Sequence, residues 1–131
     1  MLKLEIPSIN LKENVYDMNS VLNDVDYHVE ILESSRFDNN LFFLAGHSGA
    51  GSSSYFNDLI FLERGDIIWI IYHGNKYFYV VDRMYSISKN GYMMVNLDES
   101  NTLYLITCSL ENSDKQIVVR ADLVSVEKYV N

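Results

Sequence analysis

Apolar residues occur along this chain in short runs that are separated by turn-forming residues. Residues 2–6 alternate apolar and polar positions, and Pro7-Ser8 then turns the chain before a second run over residues 11–16. This period of two is typical of strands with one buried face, and the many Tyr, Phe, Val and Ile residues also favour strands. Further strands are predicted over residues 29–32, 41–45, 67–72, 76–87, 103–107 and 117–126.

Turn and helix signals lie between these runs. Gly74-Asn75 is a two-residue hairpin signal between the runs at 67–72 and 76–87. Residues 17–25 begin with Asp17, a good N-cap residue, and carry apolar residues at helical spacing, which predicts one short helix. Residues 55–62 show the same spacing and predict one or two helical turns.

The connections between the runs are polar. Residues 49–54 are predicted to form a glycine- and serine-rich loop, residues 88–101 a long connection and residues 109–115 a last loop. Because the strands follow one another without the regularly alternating helices of a parallel sheet, the sequence predicts an antiparallel sandwich or a closed barrel.

Composition narrows the class of protein. A chain of 131 residues with 48% hydrophobic residues can bury a core as one domain without a metal or disulfide framework. Its 18 acidic and 10 basic residues argue against a nucleic-acid partner, because phosphate binding depends on Lys and Arg. No run approaches the roughly 20 apolar residues that span a bilayer, and the start lacks the regions of a signal peptide. Two alternatives stay open: a cytoplasmic protein, or one whose N-terminal membrane anchor lies outside this sequence.

Two residues that follow predicted strands can carry chemistry. His47 comes after the run at 41–45 and before the glycine-serine loop, and Cys108 comes directly after the run at 103–107. If these strand ends lie side by side, the imidazole can deprotonate the thiol or stabilise its thiolate, which is the competent nucleophile. Each residue also has a plainer interpretation, since a lone histidine is more often a hydrogen-bonded surface group and a lone cysteine more often a buried small hydrophobe.

Other chemistry is disfavoured. His28 and His73 lack a comparable context and are expected at the surface. One cysteine and three scattered histidines show none of the paired spacing of a zinc site. Residues 49–51 lack the Gly-Lys-Ser/Thr ending of a phosphate-binding loop.

Five short motifs follow one another along the chain: Ala45-Gly46-His47, Tyr55-Phe56-Asn57-Asp58-Leu59, Gly65-Asp66, Leu105-Ile106-Thr107-Cys108 and Ile117-Val118-Val119-Arg120-Ala121. Their order and spacing resemble those of the sortase family, over essentially the whole chain. The Leu-x-Thr-Cys element with an upstream Gly-His is the most specific part of the resemblance.

The resemblance implies a mainly β fold, a closed eight-stranded barrel with one or two short helices, in a single catalytic domain over residues 1–131. It also implies an enzyme on the extracellular face of the membrane of a Gram-positive-type cell, held there by an anchor outside this chain. Its partners would be surface proteins with a Leu-Pro-x-Thr-Gly-like sorting signal and an amine acceptor, either a cell-wall precursor or a pilin lysine.

The same resemblance implies a mechanism. Cys108 would attack the carbonyl of the signal's Thr, and His47 would protonate the departing amine. The resulting thioester would then be resolved by the amine acceptor. Ala45 and Thr107 match the family motifs and are expected near the bound signal.

The last predicted strand departs from the family pattern. The family's catalytic arginine usually comes immediately before the Ile-Val-Val-type run, where this chain has Gln116, and Arg120 lies four residues later, roughly 13 Å along a strand. In one interpretation Arg120 reaches back toward Cys108 and stabilises the oxyanion. In another, Gln116 donates a single amide hydrogen bond instead. A plainer alternative is that Arg120 pairs with one of the many carboxylates.

Gln116 also motivates a second function, a catalytically weak sortase-like barrel that serves as a binding or assembly module. By the same resemblance, residues 88–101 correspond to the connection that shapes the substrate groove in sortases. Residues 92–95 would either contact the Leu and Pro of a signal or simply hold this connection against the barrel. Some relatives bind calcium, for which Asp82, Asp98 and Glu99 are the candidates here, but acidic residues near loops are usually solvated. No metal or other cofactor is therefore predicted.

Overall fold

Eight strands run through the part of the chain that the structure describes. The computed structural model describes residues 1–25, 28–48, 55–88, 99–108 and 115–129, with Cys108 and Lys115 described by their backbone alone. Three short 3₁₀ helices lie in the same ranges, at Pro7–Ile9, Phe37–Asn39 and Leu59–Phe61, and none of the described helices has the length and hydropathy to span a bilayer. The strands are β1 Leu2–Ile6, β2 Leu11–Val15, β3 Glu30–Ile31, β4 Leu41–Gly46, β5 Ile67–Tyr72, β6 Asn75–Ser88, β7 Thr102–Cys108 and β8 Lys115–Lys128.

The strands form one sheet in the order β2-β1-β5-β6-β8-β7-β4-β3. Among these described strands every neighbouring pair is antiparallel except β4 and β7, which run parallel. The sheet curls into a nearly closed barrel with β2 and β3 at its edges. The predicted mainly β, eight-stranded barrel is confirmed.

The interior of the barrel is filled by alternate residues of the strands. In β1, for example, Leu2, Leu4 and Ile6 are fully buried, whereas Lys3 between them is exposed. All eight strands contribute side chains to this core, and Phe56, Leu59 and Leu62 add to it from the segment between β4 and β5. Each large apolar side chain buried in this way contributes about 1.5–3 kcal/mol, so the alternation stabilises the barrel.

A second apolar cluster lies on the other face of β4, β7 and β8. Leu41 and Phe43 of β4, Tyr104 and Ile106 of β7 and Val118 of β8 are buried in it, and we call this group the outer cluster. The rings of Phe43 and Tyr104 stack with centroids 4.8 Å apart and planes 2° apart. Since the intervening residues of these strands line the core, β4, β7 and β8 are apolar on both faces here.

The helix predicted over residues 17–25 is wrong, because this segment forms a series of turns. Val21 is 94% exposed, so the helical spacing of apolar residues buries no continuous face. The Asn23 side chain instead donates to the Ile31 carbonyl at 3.1 Å and accepts from the Ile31 N–H at 2.7 Å. These hydrogen bonds to edge strand β3 outweigh a helical preference that is weak over so short a segment. The other segment, 55–62, contains the predicted turn as the 3₁₀ helix Leu59–Phe61.

The hairpin between β5 and β6 is confirmed, with its turn one residue earlier than predicted. Tyr72 and Asn75 are the closing register pair, so the turn residues are His73 and Gly74. Both have positive φ, 48° and 75°, as a two-residue turn that matches the twist of the strands requires. Asn75 is therefore the first residue of β6.

Candidate active site

The parallel pair of β4 and β7 brings together two strand ends that are far apart in the sequence. Six register pairs link the two strands, and the last of them sets Gly46 beside Thr107. His47 directly follows Gly46, and Cys108, the last residue of β7, directly follows Thr107. Because paired strands lie about 4.8 Å apart, the imidazole-bearing residue and the thiol-bearing residue follow two strand positions that are neighbours in the sheet.

The strand end at His47 is held by Phe56. The Phe56 N–H donates to the His47 carbonyl at 3.0 Å, and its ring is fully buried against Gly46. A Cβ at Gly46 would lie 2.8 Å from two atoms of that ring, which is closer than van der Waals contact. The glycine before His47 is therefore required by packing. The sequence contained Phe56 within a motif, but no local signal showed that it supports His47.

Ala45 and Thr107 flank the two candidate groups. Ala45 lies between Glu30 of β3 and Ile106 of β7 in the register of the sheet. Thr107 is 2% exposed and immediately precedes Cys108. Both residues therefore lie within two positions of His47 or Cys108, at the same end of β4 and β7.

The two candidate oxyanion residues, Gln116 and Arg120, lie four residues apart on strand β8. Gln116 is half-buried and is the register partner of Cys108 in β7 and of Ile87 in β6. Arg120 is the register partner of Tyr104 instead, four residues nearer the start of β7. At about 3.3 Å per residue this is roughly 13 Å from the level of Cys108. His47, Cys108 and Gln116 thus lie at one end of the barrel. Arg120 lies farther along β8, beside Tyr104 of β7.

Arg120 is bound to three carboxylates. Its guanidinium donates to Glu99 Oε1 at 2.8 Å, to Asp122 Oδ1 at 2.8 Å and to Asp82 Oδ2 at 3.3 Å. The Tyr104 hydroxyl donates to the second oxygen of Glu99 at 2.9 Å. The ion pairing that the sequence left as the plainer alternative for Arg120 is present in this structure. No sequence pattern singled out Glu99 as its partner, because the two residues are joined only through the fold.

These contacts change the pKa values of Glu99 and Arg120. Partial burial raises the pKa of Glu99, but hydrogen bonds from Arg120 and two neighbouring hydroxyls outweigh it and hold that pKa below its usual value. Burial by itself lowers the pKa of Arg120, yet its hydrogen bonds to Glu99 and Tyr104 and the nearby carboxylate charges raise it overall. Arg120 and Glu99 are therefore a charged pair over the whole physiological pH range.

The other two histidines lie elsewhere. His73 is exposed in the turn between β5 and β6, as expected, and its ring stacks on Tyr72 at 3.8 Å. His28 is half-buried rather than fully exposed, with its ring edge-on to Tyr16 at 4.9 Å. Tyr16 therefore covers part of the surface that His28 was expected to expose.

Within the described residues no group of three or more His, Cys, Asp or Glu side chains could hold a metal ion. Of the three residues named as calcium candidates, Asp82 and Glu99 are both engaged by Arg120. Asp98 lies outside the described residues, as do the 49–54 loop and residues 92–95.

Comparisons with known proteins agree with this architecture. The chain is 26% identical over 126 residues to sortase A from Bacillus anthracis, a match that covers 95% of this chain and 60% of that protein. Its fold superposes on sortase A from Listeria monocytogenes with a TM-score of 0.80 and 20% identity, covering 99% of this chain and 90% of the other. Sortase C1 from Streptococcus agalactiae gives a TM-score of 0.75 and 25% identity, covering 94% of this chain and 66% of that one.

The chain spans 60% of the length of the Bacillus anthracis relative. The family model described as the Sortase domain matches residues 4–124, which is most of the chain. The family predicted from the motifs is thereby confirmed, and this chain belongs to the sortase family.

Proposed function

We propose that this domain is a sortase-type cysteine transpeptidase. It cleaves a Leu-Pro-x-Thr-Gly-like sorting signal at the Thr-Gly bond and transfers the acyl group to an amine. The observation that supports the proposal is the parallel register of β4 and β7, whose last pair, Gly46 and Thr107, comes directly before His47 and Cys108. Membership of the sortase family supports the same activity.

The chemistry has two acyl-transfer steps. The Cys108 thiolate attacks the carbonyl carbon of the signal's Thr, and the tetrahedral intermediate collapses to a thioester as the Gly amine leaves. The imidazolium of His47 gives its proton to that amine. In the second step His47 removes a proton from the acceptor amine, which attacks the thioester and releases the Cys108 thiolate.

The oxyanion contact is assigned to Gln116. Gln116 is the register partner of Cys108, whereas Arg120 lies four residues away and its guanidinium binds three carboxylates. A side-chain amide is a neutral donor and stabilises an oxyanion less than a guanidinium. We therefore expect a slow enzyme.

The outer cluster packs next to this end of the barrel, and its five residues are all buried. Ile106, the most exposed of them at 9%, lies two residues before Cys108. Ala45, the register partner of Ile106, and Thr107 would lie beside the bound signal.

The remaining parts of the proposal concern the whole protein. Its substrates would be surface proteins that carry a sorting signal, and the acceptor would be the amine of a cell-wall precursor or of a pilin lysine. The enzyme would work on the extracellular face of the membrane.

The test is mass spectrometry of the intact chain mixed with sorting-signal peptides that vary at the third position, with and without an added amine. Cys108 is the only cysteine in the sequence, so an acyl-thioester mass can be assigned to it directly. We expect the adduct with the native chain, its discharge by the amine, and no adduct with Cys108→Ala. His47→Ala should slow adduct formation, and the matched control His28→Ala should leave it unchanged. Cleavage of the peptide by Cys108→Ala at the native rate would overturn the proposal.

A second candidate function rests on Gln116. If the neutral side chain opposite Cys108 leaves too little oxyanion stabilisation, the barrel acts as a catalytically weak binding or assembly module. Such a module would bind the signal peptide in a fluorescence titration and form no thioester over hours. Turnover of any peptide by the native chain would exclude it.

A further inference from the structure

A cleft lies along the free edge of β2. It has a volume of about 400 Å³, with residues 9–13 on one wall and Tyr55, Asn57 and Asp58 on the other. β2 is at the edge of the sheet, and among the described strands it pairs only with β1. Since no residue of β1 lines the cavity, it opens at the unpaired side of β2. We call it the β2 cleft.

The β2 cleft lies at the end of the barrel that carries the candidate active site. Four antiparallel pairings lead from β1 through β5, β6 and β8 to β7, and β7 is parallel to β4, so β1 and β4 run in the same direction. The turn that follows β1 is therefore at the same end as His47, which follows β4. The second wall is also bonded to this strand end, because the N–H of Phe56, between Tyr55 and Asn57, donates to the His47 carbonyl at 3.0 Å.

Glu13 contributes a half-buried carboxylate to the cleft. Its register partner in β1 is Leu4, whose side chain is fully buried in the core, so Glu13 lies on the core-facing side of β2. Partial burial raises the pKa of Glu13, and the charge of His28 offsets this only in part. Burial thus disfavours the charged carboxylate, and a cation that binds beside it is favoured in turn.

Two of the three charged residues that line the cleft are acidic, Glu13 and the exposed Asp58. Neither carboxylate forms an ion pair with a lysine or arginine among the described residues. The third charged residue, Lys12, is the register partner of Glu5 and lies on the opposite face of β2 from Glu13, because side chains alternate along a strand. The cleft therefore presents negative charge to a ligand.

An amine acceptor matches the β2 cleft in charge, backbone chemistry and position. A primary amine is an ammonium ion at neutral pH, so the two carboxylates attract it. The unpaired N–H and C=O groups of an edge strand can form hydrogen bonds with an extended chain. His47, which takes a proton from the acceptor in the proposed mechanism, follows the strand end to which the cleft is bonded.

We propose that the β2 cleft is the acceptor subsite of the transpeptidase, in which Glu13 and Asp58 bind the ammonium group of an extended amine acceptor. The ammonium then loses a proton to solvent, and the free amine attacks the thioester carbon at Cys108. The C–S bond breaks, and His47 takes the second proton. A cell-wall precursor and a pilin lysine share this amine chemistry. The inference rests on the proposed function, because an acceptor subsite has a role only if a thioester forms.

The test measures discharge of the thioester in a single turnover by mass spectrometry. The acylated chain is mixed with triglycine amide, with Nα-acetyl-lysine amide or with hydroxylamine, a small nucleophile that is mostly uncharged at neutral pH. The measured quantity is the rate with each amine divided by the rate with hydroxylamine in the same variant. This ratio removes any effect of a substitution on the chemistry at Cys108.

Glu13→Gln and Asp58→Asn should each lower the ratio about threefold and the double variant about tenfold, as for the loss of partly exposed ion pairs. Asp58→Lys should lower it further than Asp58→Asn, because it repels the ammonium, and this exposed position carries the comparison if Glu13→Gln does not fold. The control Glu63→Gln removes an exposed negative charge that does not line the cleft, and its ratio should stay within about twofold of the native value. Added salt should lower the native ratio and leave that of the double variant nearly unchanged. The amine whose ratio falls more in the double variant identifies the source of the acceptor, an α-amine or a lysine ε-amine.

A second measurement does not depend on turnover. Titration of the native chain with each amine, without a signal peptide, should shift the NMR signals of the backbone amides of residues 10–13 and 55–58. The double variant of Glu13→Gln and Asp58→Asn should weaken these shifts, and Glu63→Gln should preserve them.

Two results would overturn the inference. One is a ratio in the double variant that stays within about twofold of the native ratio for both amines. The other is a set of amide shifts confined to residues outside the β2 cleft. Failure of the proposed function would look different, since the native chain would then form no thioester with any sorting-signal peptide, whereas failure of this inference leaves thioester formation intact.

Discussion

Phe56 packs its ring against the backbone of Gly46, and its N–H binds the carbonyl of His47. The segment between β4 and β5 is therefore fastened to the strand end that carries the candidate imidazole. The contact leaves no room for a side chain at position 46, which explains why glycine stands directly before His47.

Substitution of Gly46 by alanine should destabilise the barrel and displace His47. The new methyl group would have to move a fully buried ring, and overpacking of this kind costs about 1–3 kcal/mol. Thermal unfolding should show the loss of stability, and the thioester assay a slower acylation. Phe56→Leu makes space at the same point, so the double variant Gly46→Ala/Phe56→Leu should be less destabilised than the sum of the two single variants. Strictly additive losses would show that the two residues are not coupled.

Substitution of Gln116 by arginine should speed the proposed reaction. A guanidinium at the register partner of Cys108 offers more donors and a positive charge to the oxyanion, and one such interaction is worth about 10²–10³ in kcat. We expect Gln116→Arg to raise kcat by about tenfold or more and Gln116→Ala to lower it, both with little change in KM. Lys115→Arg, which moves the guanidinium by one residue, is the control. Equal rates for Gln116→Arg and Gln116→Ala would remove Gln116 from the oxyanion site.

The ion pair between Glu99 and Arg120 should make the free energy of unfolding depend on pH in the acidic range. The pKa of Glu99 lies below its ordinary value of 4.5 in the folded chain, so its stabilising charge is fully present above that value. This contribution is lost as the pH falls through the lowered pKa of the folded state. Glu99→Gln should therefore unfold at lower urea than the native chain at pH 7, and the difference should narrow below about pH 4. The exposed Glu127→Gln should show no such trend, and a constant difference for Glu99→Gln would contradict the assignment.

Removal of the Asn23 side chain should loosen edge strand β3. Asn23 makes two hydrogen bonds with the backbone of Ile31 and a third to the Met18 carbonyl. Asn23→Ala leaves these partly buried groups unpaired, which we expect to cost about 1–3 kcal/mol in chemical denaturation. Exchange of the Ile31 amide should accelerate. The exposed Asn19→Ala, in the same segment, should leave both measurements near their native values.

The buried Tyr79 hydroxyl should contribute measurably to stability. It donates to the Asn40 carbonyl at 2.9 Å, beside a turn in which Asn40 has a φ of 53°. Tyr79→Phe should lower the free energy of unfolding by about 0.5–1.5 kcal/mol, with little change of the core because the ring is kept. Tyr77→Phe removes a hydroxyl from the same strand and should have a smaller effect. A larger loss of stability for Tyr77→Phe than for Tyr79→Phe would show that the hydrogen bond to Asn40 does not contribute as expected.

Much of the fold could be anticipated from local pattern. The alternation in residues 2–6 and the apolar runs at 41–45, 67–72 and 103–107 coincide with strands, because side chains on a strand alternate between the two faces of the sheet. The hairpin between β5 and β6 was predicted for a similar reason, since a two-residue turn demands residues that tolerate positive φ, although its turn lies at His73 and Gly74 and not at the predicted Gly74 and Asn75. The motifs around His47 and Cys108 were enough to indicate the family.

The remaining features depend on contacts between distant parts of the chain, which no local pattern encodes. The parallel pairing of β4 with β7 joins residues that are far apart in the sequence, and its last pair, Gly46 and Thr107, comes directly before His47 and Cys108. Likewise the segment at 17–25 has helical spacing, but the hydrogen bonds between Asn23 and Ile31 exist only once β3 is in place. The pairing of Arg120 with Glu99 could not be predicted from the sequence either, because the two side chains come into contact only once β7 and β8 are paired. Local preferences amount to tenths of a kcal/mol per residue, so long-range hydrogen bonds and charge pairs of about 1 kcal/mol or more override them wherever the two disagree.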